Sequence, residues 1–323
     1  TEVKNNSFLS NMKGILKSNI SPKAFIFFQV IGDIERSSNK INNDYNTFFI
    51  PKTQLIEVEF KKINLMKNFK NKSDVGYAKH LKQTVGQKFF LEQYKNNILL
   101  LNSVGNLFYI TFDKISDGKL QKIKTNLKFD HVLDLFIDNE IMFISGEQTK
   151  NGCSILHVVK SKISKLDEIN FITIFKSPKC IGSNHSGKIQ KLYDSKKNSI
   201  LLTTAGDIIK DERDPKPQDD NSIYGKILEI DVVTKEFSNF SKGHRNILGF
   251  YTDENIMLAT EMGPRGGDEI NKIEFGKNYG WPISSYGTKY KYLLSNETLD
   301  YKSSHEDFGY EEPIFNFFAS VGI

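Results

Sequence analysis

The chain has 323 residues, of which 38% are hydrophobic and 26% are charged, so it can bury a sizeable core in one large domain or two average ones. Its 44 basic and 39 acidic residues leave a formal net charge of only +5, and the scattered lysines argue against a nucleic-acid-binding surface. The longest apolar stretch, Ala24 to Ile31, is interrupted by Gln29 and is far shorter than the ~20 residues of a membrane-spanning helix.

The first part of the chain gives weak signals. Residues 1–24 are polar and predict a leader or edge segment, and their polar start does not match a signal peptide. The protein is therefore either cytoplasmic or a processed or trimmed form. Phe25 to Val30 and Leu55 to Phe60 follow as candidate strands, in keeping with an aromatic-rich composition of 25 Phe and 13 Tyr.

From residue 89 onward a pattern recurs: a strand, a short polar turn, a strongly apolar second strand, a Gly-containing turn and a third strand. The four apolar second strands are Ile98 to Leu101, Ile141 to Ser145, Ser199 to Thr204 and Ile256 to Thr260. Their spacing of roughly 40 to 60 residues is typical of β-propeller blades. We therefore expect an all-β propeller of four-stranded blades over residues 25–323. A β-sandwich is the second choice, because it would space its strands evenly without the paired motif.

Cys153 and Cys180 leave two alternatives open. They could pair if their strands are neighbours, or they could be two isolated buried thiols.

Function in propellers usually sits on loops at one end of the central channel, so long polar inserts are the places to look for a site. Three stand out in this chain: Ile181 to Lys188, Asp207 to Ser222 and Glu261 to Tyr290. The third holds the run Gly-Pro-Arg-Gly-Gly-Asp-Glu from Gly263 to Glu269, which predicts a tight irregular loop. Such a loop offers carbonyl and carboxylate oxygens to a hard cation such as calcium, although the same residues also make ordinary structural turns.

Three linked motifs in this region resemble the glucose/sorbosone dehydrogenase family. They are Gly243-His244-Arg245-Asn246, the run from Gly263 to Asn271, and Gly276-Lys277-Asn278-Tyr279-Gly280-Trp281-Pro282. Weaker similarity surrounds Asn184 to Ile189, Leu201 to Asp207 and Tyr224 to Leu228, and the resemblance covers roughly residues 89 to 323. That family consists of six-bladed propellers that oxidise aldoses with pyrroloquinoline quinone (PQQ) and calcium.

The resemblance implies a role for each matching residue. His185 would be the general base for the anomeric hydroxyl of the sugar, and Asp207 would orient it. Arg245 would stabilise negative charge on the quinone, and Asn246 would contact this cofactor. The carbonyls of Gly263 and Pro264 would hold a calcium at the quinone, whereas Glu269 and the Tyr279 carbonyl would bind a second, structural calcium.

The resemblance further implies a periplasmic or secreted protein that acts on a small sugar, with the electron acceptor unspecified and a homodimer left open.

Departures from the family pattern keep a second function open. The loop between His185 and Lys188 is one residue shorter than in active members, and Asp130 to Asp134 lacks the glutamine that the family places near its substrate. The resemblance also predicts that the propeller is incomplete at its C-terminus, with four clear blades and room for part of a fifth. The alternative is therefore an inactive propeller of the same ancestry that binds a carbohydrate or a protein.

Overall fold

The computed structural model describes residues 89–180, 186–194, 196–206, 215–264, 266–287 and 304–317. The proposed leader at residues 1–24, the candidate strands before residue 61 and any fifth blade lie outside these residues. The regular secondary structure of the described residues is almost entirely β-strand, and the strands form four separate sheets. None of the helices within these ranges is long and apolar enough to cross a membrane.

The sheets have the following strands. Sheet 1 contains β1 (Phe89–Tyr94), β2 (Asn97–Asn102), β3 (Leu107–Thr111), β4 (Gln121–Thr125) and the short β8 (Glu168–Ile169). Sheet 2 contains β5 (His131–Asp138), β6 (Ile141–Lys150), β7 (Cys153–Lys162) and β9 (Ile172–Lys176). Sheet 3 contains β10 (Ile189–Lys191), β11 (Ser199–Thr203), β12 (Lys226–Asp231) and β13 (Phe237–Lys242). Sheet 4 contains β14 (Ile247–Thr252), β15 (Met257–Glu261), β16 (Asp268–Lys272) and β17 (Phe315–Phe317).

Each sheet is an antiparallel meander, apart from the parallel pairing of β8 with β4. Tight turns set the register of the hairpins: Asp138 pairs with Ile141 around Asn139, and Lys150 pairs with Cys153 around Asn151. Both asparagines have positive φ values, 54° and 53°, which suit two-residue hairpin turns that follow the strand twist.

The sheets stack side by side through apolar faces. The first strands of successive sheets, β1, β5, β10 and β14, contact each other in that order. One apolar cluster lies between sheets 1 and 2, a second between sheets 2 and 3, and a third between sheets 3 and 4. The propeller of four-stranded blades expected from the sequence is confirmed.

The two cysteines are paired. Cys153 at the start of β7 and Cys180 just beyond β9 form a disulfide, with their Cα atoms 5.1 Å apart. Because β9 pairs with β7, the strands that carry the cysteines are neighbours. The first of the two alternatives for these residues is therefore the correct one.

Candidate functional site

Arg245 and Asn246 occupy the short link between β13 and β14, where sheets 3 and 4 meet. They are buried, with 4% and 2% exposure. The Arg245 backbone N–H donates a hydrogen bond to Glu261 Oε1, and its carbonyl accepts one from the Gly206 N–H at 2.7 Å. Met262 N–H donates to the Asn246 carbonyl at 3.0 Å. Backbone contacts to both sheets therefore fix the position of this pair.

The Arg245 side chain points toward the Gly-rich loop between β15 and β16. Its Nη1 donates to the Met262 carbonyl at 2.8 Å and to the Gly263 carbonyl at 3.1 Å. The guanidinium also lies 5.3 Å from the centre of the Trp281 ring, a favourable cation–π distance. Arg245 is therefore a buried cation that contacts one of the oxygens that the family resemblance assigns to calcium, the Gly263 carbonyl.

A buried hydrogen-bonded network of three side chains lies next to Arg245. Ser241 Oγ lies 2.8 Å from His244 Nε2, and His244 Nδ1 lies 3.1 Å from Glu261 Oε2. The His244 ring stacks on Tyr279 with centroids 4.6 Å apart. A serine, an imidazole and a carboxylate occur in this order in hydrolases, but His244 is 0% exposed and the other two are also buried. This network therefore orients the Arg245 backbone, because Glu261 accepts the Arg245 N–H.

The Gly-rich loop requires its glycines. A Cβ on Gly267, whose φ is +67°, would lie 2.0 Å from the Gly287 nitrogen. The Gly263 N–H donates to Asp268 Oδ1 at 3.0 Å, which closes the loop on itself. Asp268 already belongs to β16, so the irregular loop expected from Gly263 to Glu269 ends one residue before Asp268.

Glu269 has a partner that the sequence did not indicate. Its Oε1 lies 3.3 Å from His305 Nε2, and its Oε2 accepts a hydrogen bond from Asn271 at 3.2 Å. Burial raises the pKa of the Glu269 carboxyl. Burial opposes the charge on His305, yet the adjacent Glu269 carboxylate raises the pKa of this imidazole overall. The side chain proposed as a calcium ligand therefore already has an imidazole as its close neighbour.

Tyr279 is a core residue, as its 2% exposure shows. Its hydroxyl donates to the Lys272 carbonyl at 2.7 Å and accepts the Glu274 N–H at 2.9 Å. Burial raises the pKa of the phenol well above its usual range. The side chain is therefore structural, and only its main-chain carbonyl stays a candidate for binding metal.

A cavity of about 10 Å³ lies among Arg245, Glu261, Glu269, Ser284 and Ser285, with Gly263, Tyr279 and His305 also in its lining. This volume holds about one water molecule or one ion. Its oxygen-rich lining suits calcium. However, His305 already pairs with Glu269, and within the described ranges no three His, Cys, Asp or Glu side chains converge as metal ligands.

The two proposed calcium positions therefore differ in how well their surroundings suit a cation. The position at Glu269 and Tyr279 offers space and oxygen atoms beside a histidine. At Gly263, the carbonyl accepts a hydrogen bond from Arg245, so a cation there requires the guanidinium to move. Pro264 is buried beside Gly287.

The cofactor residues fit a polar aromatic anion in part. Arg245 supplies a buried positive charge beside an indole ring. Asn246 Oδ1 is buried and has no hydrogen-bond partner within the described portion of the chain. A buried acceptor in this state costs free energy unless another group satisfies it. Asn246 Oδ1 could therefore accept a hydrogen bond from a bound polar group.

His185 and Asp207 lie outside the described residues, although each adjoins a well-fixed residue. Ser186, next to His185, lies 2.6 Å from Thr203 through their hydroxyls. Gly206, next to Asp207, contacts Arg245 and also accepts a hydrogen bond from Trp281 Nε1 at 3.3 Å. Of the site residues predicted from the sequence, Arg245, Gly263, Glu269 and Tyr279 line one small cavity, whereas the roles of all of them stay predictions.

Comparison with known proteins gives a consistent result. Aldose sugar dehydrogenase YliI of Escherichia coli is 30% identical over 45% of this chain and 42% of its own length. Quinoprotein glucose dehydrogenase B of Acinetobacter calcoaceticus is 28% identical over 38% of this chain and 30% of its own length. The chain thus aligns with less than half the length of these curated relatives.

Solved structures show the same fold. A crystal structure of glucose dehydrogenase matches with a TM-score of 0.60 and 22% identity, over 72% of this chain and 73% of that chain. The apo form of the soluble aldose sugar dehydrogenase from Escherichia coli matches with a TM-score of 0.56 and 21% identity, over 72% of each chain. The model of the family described as glucose/sorbosone dehydrogenase matches residues 129–323. This chain therefore belongs to the glucose/sorbosone dehydrogenase family.

Proposed function

We propose that this protein oxidises an aldose at its anomeric carbon with PQQ as the cofactor. The observation that carries this proposal is the buried pair Arg245 and Asn246, two consecutive residues that provide a cation and an amide oxygen without a hydrogen-bond partner among the described residues. Membership of a family of sugar dehydrogenases supports the same reaction class. The name of the quinoprotein relative supports the choice of cofactor.

Each residue would have a separate role in this reaction. When bound, PQQ would accept the hydride from the sugar carbon. His185 would take the proton of the anomeric hydroxyl, because an imidazole has a pKa near working pH. Asp207 would hold that imidazole in one orientation. Arg245 would stabilise negative charge on the cofactor from a site that excludes water, where a charge acts more strongly than at the surface.

Activity of the full chain with PQQ and calcium tests the reaction directly, by following dye reduction with several aldoses. We expect His185→Ala to lower kcat by about 100- to 10,000-fold, the usual contribution of a general base. His80→Ala, at a histidine without a motif, is the control and should keep its activity. If PQQ does not bind to the full chain at all, the proposal is wrong.

Calcium is the second part of the proposal, and Glu269 and the Tyr279 carbonyl are its candidate ligands. Calcium should raise the melting temperature of the wild type but not that of Glu269→Ala, which lacks the carboxylate. Glu274→Ala is the matched control, because its carboxylate is exposed and pairs only with Lys272 at 2.7 Å among its charged neighbours. The same calcium response in Glu269→Ala as in the wild type would contradict this assignment.

An alternative function follows from the Arg245 contacts. Because Nη1 donates to the Met262 and Gly263 carbonyls, the site as it stands resembles a closed structural network. This favours a non-catalytic propeller that binds a carbohydrate or a protein. Calorimetric titration with sugars in the absence of PQQ distinguishes the two functions. Sugar binding, together with no dye reduction at any concentration of PQQ and calcium, supports the alternative.

We also propose a periplasmic or secreted location. The Cys153–Cys180 disulfide supports it, because disulfides form and persist in oxidising compartments and are rare in the cytosol. Mass spectrometry of alkylated native protein tests this: two alkylated thiols in freshly isolated material would contradict an exported location.

A further inference from the structure

The chain that follows His185 is held firmly within its own sheet. Ser186 Oγ lies 2.6 Å from Thr203 Oγ1, and this oxygen accepts hydrogen bonds from the N–H groups of Gly187 at 3.1 Å and Lys188 at 2.9 Å. Thr203 is completely buried at the end of β11. One hydroxyl of sheet 3 therefore fixes the three residues before β10.

The neighbouring sheet holds the same segment from the other side, mainly through Asp134 of β5. Asp134 Oδ2 accepts the N–H of Ile189 at 2.9 Å, and Oδ1 lies 3.2 Å from Lys188 Nζ. Ser145 of β6 donates a hydrogen bond to the Gly187 carbonyl at 2.5 Å. Both oxygens of one carboxylate thus join sheet 2 to the segment that begins one residue after His185.

The charges around Asp134 favour this arrangement. Asp134 and Lys188 are partly buried, with side chains 13% and 22% exposed. Burial raises the pKa of Asp134, while Lys188 and the Ile189 N–H oppose the increase. Glu92 of β1 is the other acidic group here, and burial together with the Asp134 charge raises its pKa to about 7. Lys188 therefore has Asp134 as its main counter-ion and lies 5.4 Å from the Phe90 ring.

We propose that Asp134 is a positioning residue that joins β5 to β10 and thereby fixes Lys188 and Ile189, in the segment that follows His185 in the sequence. The catalytic consequence rests on the proposed function, in which His185 is the base. A displacement of about 1 Å at a reacting group can lower the rate by about 100-fold, so a carboxylate that holds the residues three and four positions beyond the base is well placed to affect kcat.

The chain provides a matched control on the same two strands. Asp138 of β5 and Lys191 of β10 form a second ion pair, with Oδ2 and Nζ 3.0 Å apart. This pair also joins sheets 2 and 3 but lies six residues beyond His185 rather than three. If losing any ion pair between these sheets had the same effect, variants of both pairs would show it. A positioning effect would appear only in variants of Asp134 and Lys188.

The test compares Asp134→Asn, Lys188→Met, Lys188→Arg and Asp138→Asn in the full chain. One measurement is hydrogen–deuterium exchange of the amides of Gly187 to Ile189, and the other is kcat and KM with PQQ, calcium and an aldose. We expect Asp134→Asn and Lys188→Met to speed local exchange and to lower kcat by ~10- to 100-fold with KM nearly unchanged. Lys188→Arg, which keeps the charge, and Asp138→Asn should behave like the wild type.

Two outcomes would overturn the inference. One is equal acceleration of exchange in Asp134→Asn and Asp138→Asn, and the other is local exchange that stays at the wild-type rate in Asp134→Asn and Lys188→Met. A wild-type protein that oxidises no sugar would contradict the proposed function alone, because the exchange measurement still decides whether Asp134 fixes the start of β10.

Discussion

The interface between sheets 1 and 2 and the interface between sheets 3 and 4 join neighbouring blades in different ways. Between sheets 1 and 2, buried aliphatic and aromatic side chains such as Leu99, Leu101 and Val132 form an extensive apolar cluster. Between sheets 3 and 4 the apolar cluster is smaller. It is accompanied by a buried polar network that contains His244 and Glu261.

The difference shows that, within one fold, one interface mainly stabilises the protein and another fixes the positions of the candidate site residues. Apolar contacts are non-directional and tolerate modest rearrangement, so they suit an interface that only has to hold two blades together. A polar network must satisfy each donor and acceptor, and this requirement fixes the position of its members. The motifs that identify the family lie at the interface between sheets 3 and 4, where positions are most strictly determined.

The largest effect is expected for Glu261→Ala in the polar network. The carboxylate accepts hydrogen bonds from His244 Nδ1 and the Arg245 N–H, so its removal leaves both buried donors unsatisfied. We expect the free energy of unfolding to fall by about 3 to 5 kcal/mol, as when one partner of a buried pair is removed. Urea denaturation measures this.

Glu254→Ala is the control for that experiment. Glu254 is exposed and lies in the turn that connects β14 to β15, so its loss should change stability by less than about 0.5 kcal/mol. If Glu261→Ala were as mild as this control, the view that the polar network determines the geometry of the interface would be wrong.

A smaller and different effect is expected for Leu101→Ala in the apolar interface. Leu101 is 0% exposed, so truncation removes buried methyl groups and leaves a cavity. We expect a loss of about 3 kcal/mol in the free energy of unfolding. Hydrogen exchange at residues 244–246 should stay unchanged, in contrast to Glu261→Ala.

Leu91→Ala serves as the control in sheet 1, because Leu91 is 61% exposed on the adjacent strand. Faster exchange at residues 244–246 in Leu101→Ala would show that the two interfaces are coupled and would remove the distinction between them.

The sequence predicts the apolar interfaces better than the polar one. The strand pattern around Ile141 to Ser145 depends on local alternation and turn residues, and it predicts the start of β6 correctly, although the strand continues to Lys150. The motif residues Arg245 and Glu269 were identified because they occur in linked local runs. His305 was not, because it reaches Glu269 from 36 residues further along the chain and no motif surrounds it. Contacts that depend on tertiary proximity alone leave no local pattern.

The hydrogen bond from Arg245 to the Gly263 carbonyl, a proposed calcium ligand, was also outside the reach of sequence reasoning. The motif identifies both residues, but only the three-dimensional arrangement shows that Nη1 lies 3.1 Å from that oxygen. The Asp134–Lys188 pair has the same origin, since its partners lie on different sheets and are 54 positions apart.

The smallest predicted effect concerns Lys226, which extends the comparison to a second buried cation that, like Arg245, donates to backbone carbonyls. Its Nζ donates to the carbonyls of Lys216, Pro217 and Tyr224 at 2.8 to 3.1 Å, and the residue is 0% exposed. Burial lowers its pKa to about 8, and the nearby Asp220 opposes this only in part.

Because this pKa is lower in the folded state than in the unfolded chain, the unfolded chain binds more protons above pH 8, and stability should increase with pH. The free energy of unfolding of the wild type minus that of Lys226→Met should therefore increase between pH 8 and pH 10, by about 1 kcal/mol per pH unit at the steepest point. Urea denaturation across this range measures the difference, with the half-exposed Lys272→Met as control. A difference that falls as pH rises would mean that the carbonyls stabilise the ammonium more than burial penalises it, so that carbonyl oxygens alone would balance a buried charge.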